Sequence, residues 1–113
     1  MELVISSFNK EREILGKVSR NEKGDFLVEA QDKTIKKEIA EMIKKVVSSY
    51  PLLPLRFARR IEEKGKIRYE TIVKQCRKGE SDYLYALAEY LNQKEFRTRN
   101  RIAGKEIRAY IQE

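Results

Sequence analysis

Apolar and polar positions alternate in steps of two over the first thirty residues. LVISSF (3–8) is short and rich in β-formers. EILGKVSR (13–20) sets Ile14, Gly16 and Val18 on one side, and FLVEAQ (26–31) sets Phe26, Val28 and Ala30 on one side, against Leu27 and Glu29. Alternation on both flanks of NEKGD (21–25), where Gly24 is free to take positive φ, is a hairpin signal. A lone hairpin is marginal in water, so the first strand is expected to complete an antiparallel meander over 1–31.

At Asp32 the period changes. Ile35, Ile39, Met42, Ile43, Val46 and Val47 recur at helical spacing, with Lys36, Lys37, Glu38, Glu41, Lys44 and Lys45 on the other side. Asp32 suits the N-cap, and Pro51 turns Tyr50 out of the helical region. Leu53, Phe57 and Ile61 then follow at i, i+4 and i+8. With Pro54 in the first turn and Gly65 at the end, they predict a short helix over 55–64. A hairpin turning at Lys64-Gly65, with RFARRIEE and KIRYETIV as strands, is the competing reading. Tyr69, Ile72, Val73 and Cys76 predict a helix over 68–78. Ser81 is placed to cap another over 82–93, with Leu84, Leu87, Ala88 and Leu91 as its stripe.

In the last stretch Phe96, Thr98, Asn100 and Ile102 share one face. A turn falls at AGK, and Ile107, Ala109 and Ile111 alternate on the return. That predicts a basic hairpin over 94–113. A helix there, the alternative, would hold Gly104 inside at a cost of about 1 kcal/mol. The expected fold is therefore α+β in a single domain over 1–113. It is a three-stranded meander (1–31) packed on a layer of three to four helices (32–93), followed by the C-terminal hairpin.

A chain of 113 residues is long enough for one self-sufficient core. It holds no run of about 18 apolar residues, and its N-terminus lacks a basic region before an apolar one. Neither a membrane partner nor export is expected, which makes the expected location cytoplasmic. The lone Cys76 excludes an internal disulfide framework and fits a reducing compartment. Abundant Lys, Glu and Arg without histidine resemble heat-adapted compositions.

Charge changes the picture most. The net charge is +7, and residues 51–113 carry fifteen Lys/Arg against nine Asp/Glu, while residues 1–50 carry ten against nine. Nine of the eleven arginines lie in the second half. Arginine presents a planar donor fork that grips phosphate bidentately and stacks on bases. Two clusters stand out. Arg97, Arg99 and Arg101 alternate, so a strand would project them about 6.5–7 Å apart, close to the phosphate repeat of a nucleic-acid strand. A helix would instead align Arg97, Arg101, Lys105 and Arg108, so a basic stripe survives either assignment. In the second cluster, Arg56, Arg59 and Arg60, a helix would place Arg56, Arg60 and Lys64 on one side, partly neutralised by Glu62 and Glu63. The bland alternative for both is a solvated or charge-protected surface.

Gln93 and Asn100 are residue types that pair with adenine, and Tyr85 and Tyr110 are free to stack on bases. Tyr83 and Tyr90 lie beside the apolar stripe. The order helix (68–78), turn, helix (82–93), basic hairpin resembles a winged helix-turn-helix in element sequence alone. Its outer positions Asp82, Tyr85, Glu89 and Asn92 are neutral or acidic, which leaves the basic hairpin as the better contact.

Enzyme chemistry finds little support. Without histidine there is no ordinary triad base and no imidazole ligand. Cys76 sits on an apolar face, and there is no Gly-rich phosphate loop or EF-hand spacing, so no metal or cofactor is expected. The expectation is a small non-catalytic protein that binds DNA or RNA through the phosphate backbone. The alternative is an interaction or assembly subunit, meeting a protein partner or its own copy through Leu52 and Leu53 of the apolar YPLLPL (50–55) and an exposed strand edge.

Overall fold

Alternation and helical periodicity resolve into elements in the computed structural model, which describes residues 1–10 and 12–113. The strands β1 (Glu2–Ser7), β2 (Ile14–Arg20) and β3 (Phe26–Glu29) lead into α1 (Lys33–Ser49). Then come β4 (Leu52–Glu63), β5 (Lys66–Arg77), α2 (Tyr83–Leu91), α3 (Lys94–Arg99) and β6 (Ile107–Gln112). The fold is α+β, with strands in two antiparallel sheets.

The first sheet has the order β3-β2-β1-β6. Leu3 stands opposite Val18 on one side and Ile111 on the other, and Ile5 stands opposite Gly16 and Ala109. Cross-strand partners share a face, so these residues and Val28 form one apolar surface. Both α1 and α2 cover that surface, α1 with Ile39, Met42, Ile43 and Val46, α2 with Tyr83, Leu84, Leu87 and Leu91. The Asp32 carboxylate caps α1 by accepting from the amides of Thr34 and Ile35 at 2.7 and 3.0 Å. Gly16 lets α1 lie close: a Cβ there would stand 2.6 Å from Ile39 Cδ1 and 2.9 Å from the Glu29 carbonyl oxygen.

The expected layer of three to four helices is overturned, because the segments read as helices over 55–64 and 68–78 form most of β4 and β5. β4 and β5 pair along their whole length, from Leu52 opposite Arg77 to Glu63 opposite Lys66. A spacing of four residues satisfies a strand as well as a helix, so Leu53, Phe57 and Ile61 share a strand face too. Pro54, read as a helix start, occupies a position whose missing N–H would point away from β5. The backbone N–H of Arg56, two residues on, does donate outward, to the Glu89 carboxylate at 3.2 Å. Pro54 therefore removes no ladder bond. Lys64 and Gly65 both take positive φ, 50° and 74°, as a two-residue type I′ hairpin loop requires. With helix 68–78 gone, the winged-helix order falls as well.

The C-terminal hairpin is also corrected. Residues 94–99 form the short α3, Ala103 and Gly104 make a tight turn closed by an Ile102–Lys105 bridge, and β6 pairs with β1. Pairing with β1 buries Ile107 and Ala109 in the core, which a local hairpin could not do. Asn92, just after α2, closes the outer edge of β6. Its amide donates to the Ala109 carbonyl at 2.7 Å and accepts from the Ala109 N–H at 2.8 Å. Among the described residues no helix is long and apolar enough to cross a membrane.

Candidate nucleic-acid interface

The β4–β5 ribbon is fixed at its root and free beyond it. At the root, the facing pair Leu53 and Cys76 is buried, and burial pushes the Cys76 thiol up, away from nucleophilic chemistry. Tyr83, also fully buried, donates its hydroxyl to the Tyr50 carbonyl at 2.5 Å, and burial raises its phenol to about 12. Arg20 of β2 donates to the carbonyls of Lys78 and Glu80 at 2.6 and 2.5 Å, gripping the loop that leaves β5. Lys74 pairs with Asp82 at 2.6 Å and Glu80 at 3.8 Å. The bond to Asp82 is the main cause of its raised pKa.

Beyond the root, twelve residues per strand extend the ribbon to about 40 Å. The molecule is accordingly elongated, 56 × 34 × 25 Å. Alternation divides the ribbon into two faces. One carries Leu53, Leu55, Phe57 and Ile61 opposite Cys76, Lys74, Ile72 and Arg68, and its root end packs on α2. The other carries Arg56 opposite Val73, Ala58 opposite Thr71 and Arg60 opposite Tyr69, with Gln75 and Arg77 nearer the root. Every residue of this second face is exposed. Tyr69, at 69 % exposure, is the most exposed of the large apolar side chains.

The charge is concentrated here. Residues 52–77 hold eight Lys/Arg and three Glu, so +5 of the net +7 rides on the ribbon. Arg60 lies 3.9 Å from Glu62, Arg68 reaches Glu63 and Glu70, and Lys74 is paired at the root. Arg56, Arg59, Lys64, Lys66 and Arg77 pair with no carboxylate among the described residues.

The C-terminal cations do not form the stripe that the sequence suggested. Arg97 packs inward: its guanidinium lies 4.0 Å from the Phe8 ring centroid, NH1 donates to the Asn92 carbonyl, and Nε is buried. Arg108 rests on the same ring at 5.1 Å. Lys105 is bonded to the Glu13 carboxylate, which holds Glu13 below the usual carboxylate range. Arg99 and Arg101 are exposed, one at the end of α3 and the other in the coil beyond it. The Asn100 amide donates to the Phe96 carbonyl at 2.9 Å. Tyr85 is bonded to Glu113, and Tyr110 lies opposite Val4 on the sheet face away from the helices.

Alternation also separates the two candidate partner-binding leucines, with Leu52 at 51 % exposure and Leu53 at 2 %. Arg56, Arg59 and Arg60 do lie on the ribbon, with Arg59 on the opposite face from the other two. Sequence reasoning assigned no binding role to Tyr69, Thr71, Val73 and Arg77, and read Tyr69 and Val73 as part of a helix stripe. The signal that finds them is the Lys64-Gly65 turn, which sets β5 beside β4. The chain matches no protein-family model, no curated protein and no solved structure, so its function has to be argued from this geometry.

Proposed function

We propose that the protein binds nucleic acid, without catalysis, through the β4–β5 ribbon. One observation carries this reading: a projecting two-stranded ribbon holds most of the net charge of the chain, and five of its cations lack a carboxylate partner among the described residues. Phosphate oxygens supply the missing acceptors, and releasing the counterions around them drives association. If each of the five cations displaces one condensed counterion from a duplex, whether at a phosphate or inside a groove, the affinity falls with salt at a log–log slope of about −4.5. A fourfold rise in salt then weakens binding about 500-fold. Fluorescence anisotropy against duplex and single-stranded DNA and RNA, at two salt concentrations, tests this. No salt-sensitive binding at micromolar protein would sink it.

A second reading, an interaction or assembly role, draws on different residues. Leu52, Phe57, Ile67 and Val73 leave apolar surface exposed along the same ribbon, and exposed apolar patches mark partner sites. A ribbon at +5 repels its own copy, so this reading requires an acidic protein partner. A clean monomer by sedimentation, with no acidic protein retained, would count against it.

A further inference from the structure

We infer that the nucleic acid is B-form duplex DNA, and that the ribbon enters its major groove with the Arg56–Arg60–Tyr69 face toward the base edges. This rests on the reading of the ribbon as a nucleic-acid site and adds the substrate class and the docking face. The argument starts from width. Two strands lie about 4.8 Å apart, and a two-stranded ribbon with its side chains fits the major groove, about 12 Å wide, but not the minor groove, about 6 Å wide. The A-form major groove of duplex RNA is too narrow and deep for side chains to read.

The choice of face follows from exposure. The face bearing Leu53 and Cys76 is partly closed by α2 at its root, whereas the other is open along its full length. Its central pairs are Arg56 with Val73, Ala58 with Thr71 and Arg60 with Tyr69. An arginine fork matches the O6 and N7 acceptors of guanine, and small methyl-bearing residues such as Ala58 and Thr71 match the thymine methyl. Arg56 and Arg60 stand about 13–14 Å apart along the strand, far enough to address separate base pairs. A surface that served phosphates alone would not need this mixture. Lys64 at the turn and Arg59 on the back of the ribbon remain for the phosphate walls.

The test separates this inference from the reading beneath it. The full chain is titrated with a mixed-sequence DNA duplex, the matching RNA duplex and each single DNA strand. Dimethyl sulfate interference is then read on the bound DNA. The DNA duplex is expected to bind at least tenfold more tightly than the other forms, and guanine N7 methylation is expected to be depleted from the bound fraction. Arg56→Lys with Arg60→Lys keeps the charge and removes both forks. This variant is expected to keep the salt slope and lose the preference for the DNA duplex by about tenfold or more. Tyr69→Ala, which removes an exposed side chain from the same face, is expected to weaken the DNA duplex selectively. Equal affinity for all forms, a preference for RNA or single strands, or interference at adenine N3 alone would overturn the groove inference and leave backbone binding standing. Absence of binding to every form would overturn both.

Discussion

Replacing Arg56, Arg59 and Arg77 together by glutamine should flatten the salt dependence of binding without loosening the fold. All three are exposed, and none pairs with a carboxylate among the described residues. Exposed side chains without such partners usually change stability by no more than about 0.5 kcal/mol. Of the five ribbon cations left without a carboxylate, Lys64 and Lys66 would remain. The slope should drop from about −4.5 to about −1.8, and the same fourfold rise in salt should then cost roughly tenfold in affinity instead of about 500-fold. The matched control is Arg99→Gln with Arg101→Gln, which removes two exposed cations away from the ribbon. The readouts are anisotropy titrations at four salt concentrations, with thermal melts of all three proteins. The assignment of binding to the ribbon fails if the triple variant keeps the parent slope, or if the control pair flattens it as much.

Three further outcomes concern the scaffold. Gly16→Ala places a Cβ 2.6 Å from Ile39 Cδ1 and 2.9 Å from a backbone oxygen; a loss of about 1–3 kcal/mol is expected in urea melts, partly recovered when Ile39→Val removes the clashing carbon. Asn92→Ala unpairs both backbone groups of Ala109 at the β6 edge, at a cost of about 1–3 kcal/mol, and amide exchange at Ala109 should accelerate beyond that of its neighbours. Tyr83 holds its proton to about pH 12 in the folded state, while an unfolded tyrosine releases it near pH 10. Stability conferred by the neutral phenol is therefore present below about pH 10 and lost between about 10 and 12. Urea melts should show a loss on the order of 1 kcal/mol by pH 11, and Tyr83→Phe should lack that component.

What the sequence showed and what it hid follow from where each residue finds its partners. The stripe from Ile35 to Val47 is legible because α1 buries one face and wets the other. Alternation from Gly16 to Ala30 is legible for the same reason, since the sheet has one face on the core; the expected place of Ile14 on that face fails, because the register shifts at Ile5/Ser6 and Leu15 is buried in its stead. β4 and β5 have no such contrast. Beyond Leu53 and Cys76, apolar residues sit on both faces of the ribbon, so parity carries no signal. The fourfold spacing of Leu53, Phe57 and Ile61 fits a helix as easily. β6 failed differently. Its own alternation, Ile107, Ala109, Ile111, does mark a strand, but its partner β1 lies about a hundred residues earlier. Local pattern cannot choose between that partner and a nearby one. Once β6 leaves for β1, residues 94–99 have no strand to pair with and close into α3.

The two arginine clusters make the functional consequence concrete. By composition they are near twins, each holding three arginines within a few residues. Arg97 becomes a packing residue because α3 turns it onto Phe8 and Asn92. Arg56 and Arg60 become a surface because β4 has only β5 beside it and nothing over its outer face. The Arg97 guanidinium already has a ring and a carbonyl as partners, though its buried Nε is unbonded among the described residues, and binding phosphate would mean breaking those contacts. The Arg56 guanidinium, exposed and without a carboxylate among the described residues, has no such contact to break, and Arg60 has only a long one, 3.9 Å to Glu62. Local density of arginine therefore marks neither cluster as a site. The property that separates Arg97 from Arg56 is whether the fold has already provided the guanidinium with an acceptor, and that property depends on strand pairing between segments far apart in the chain.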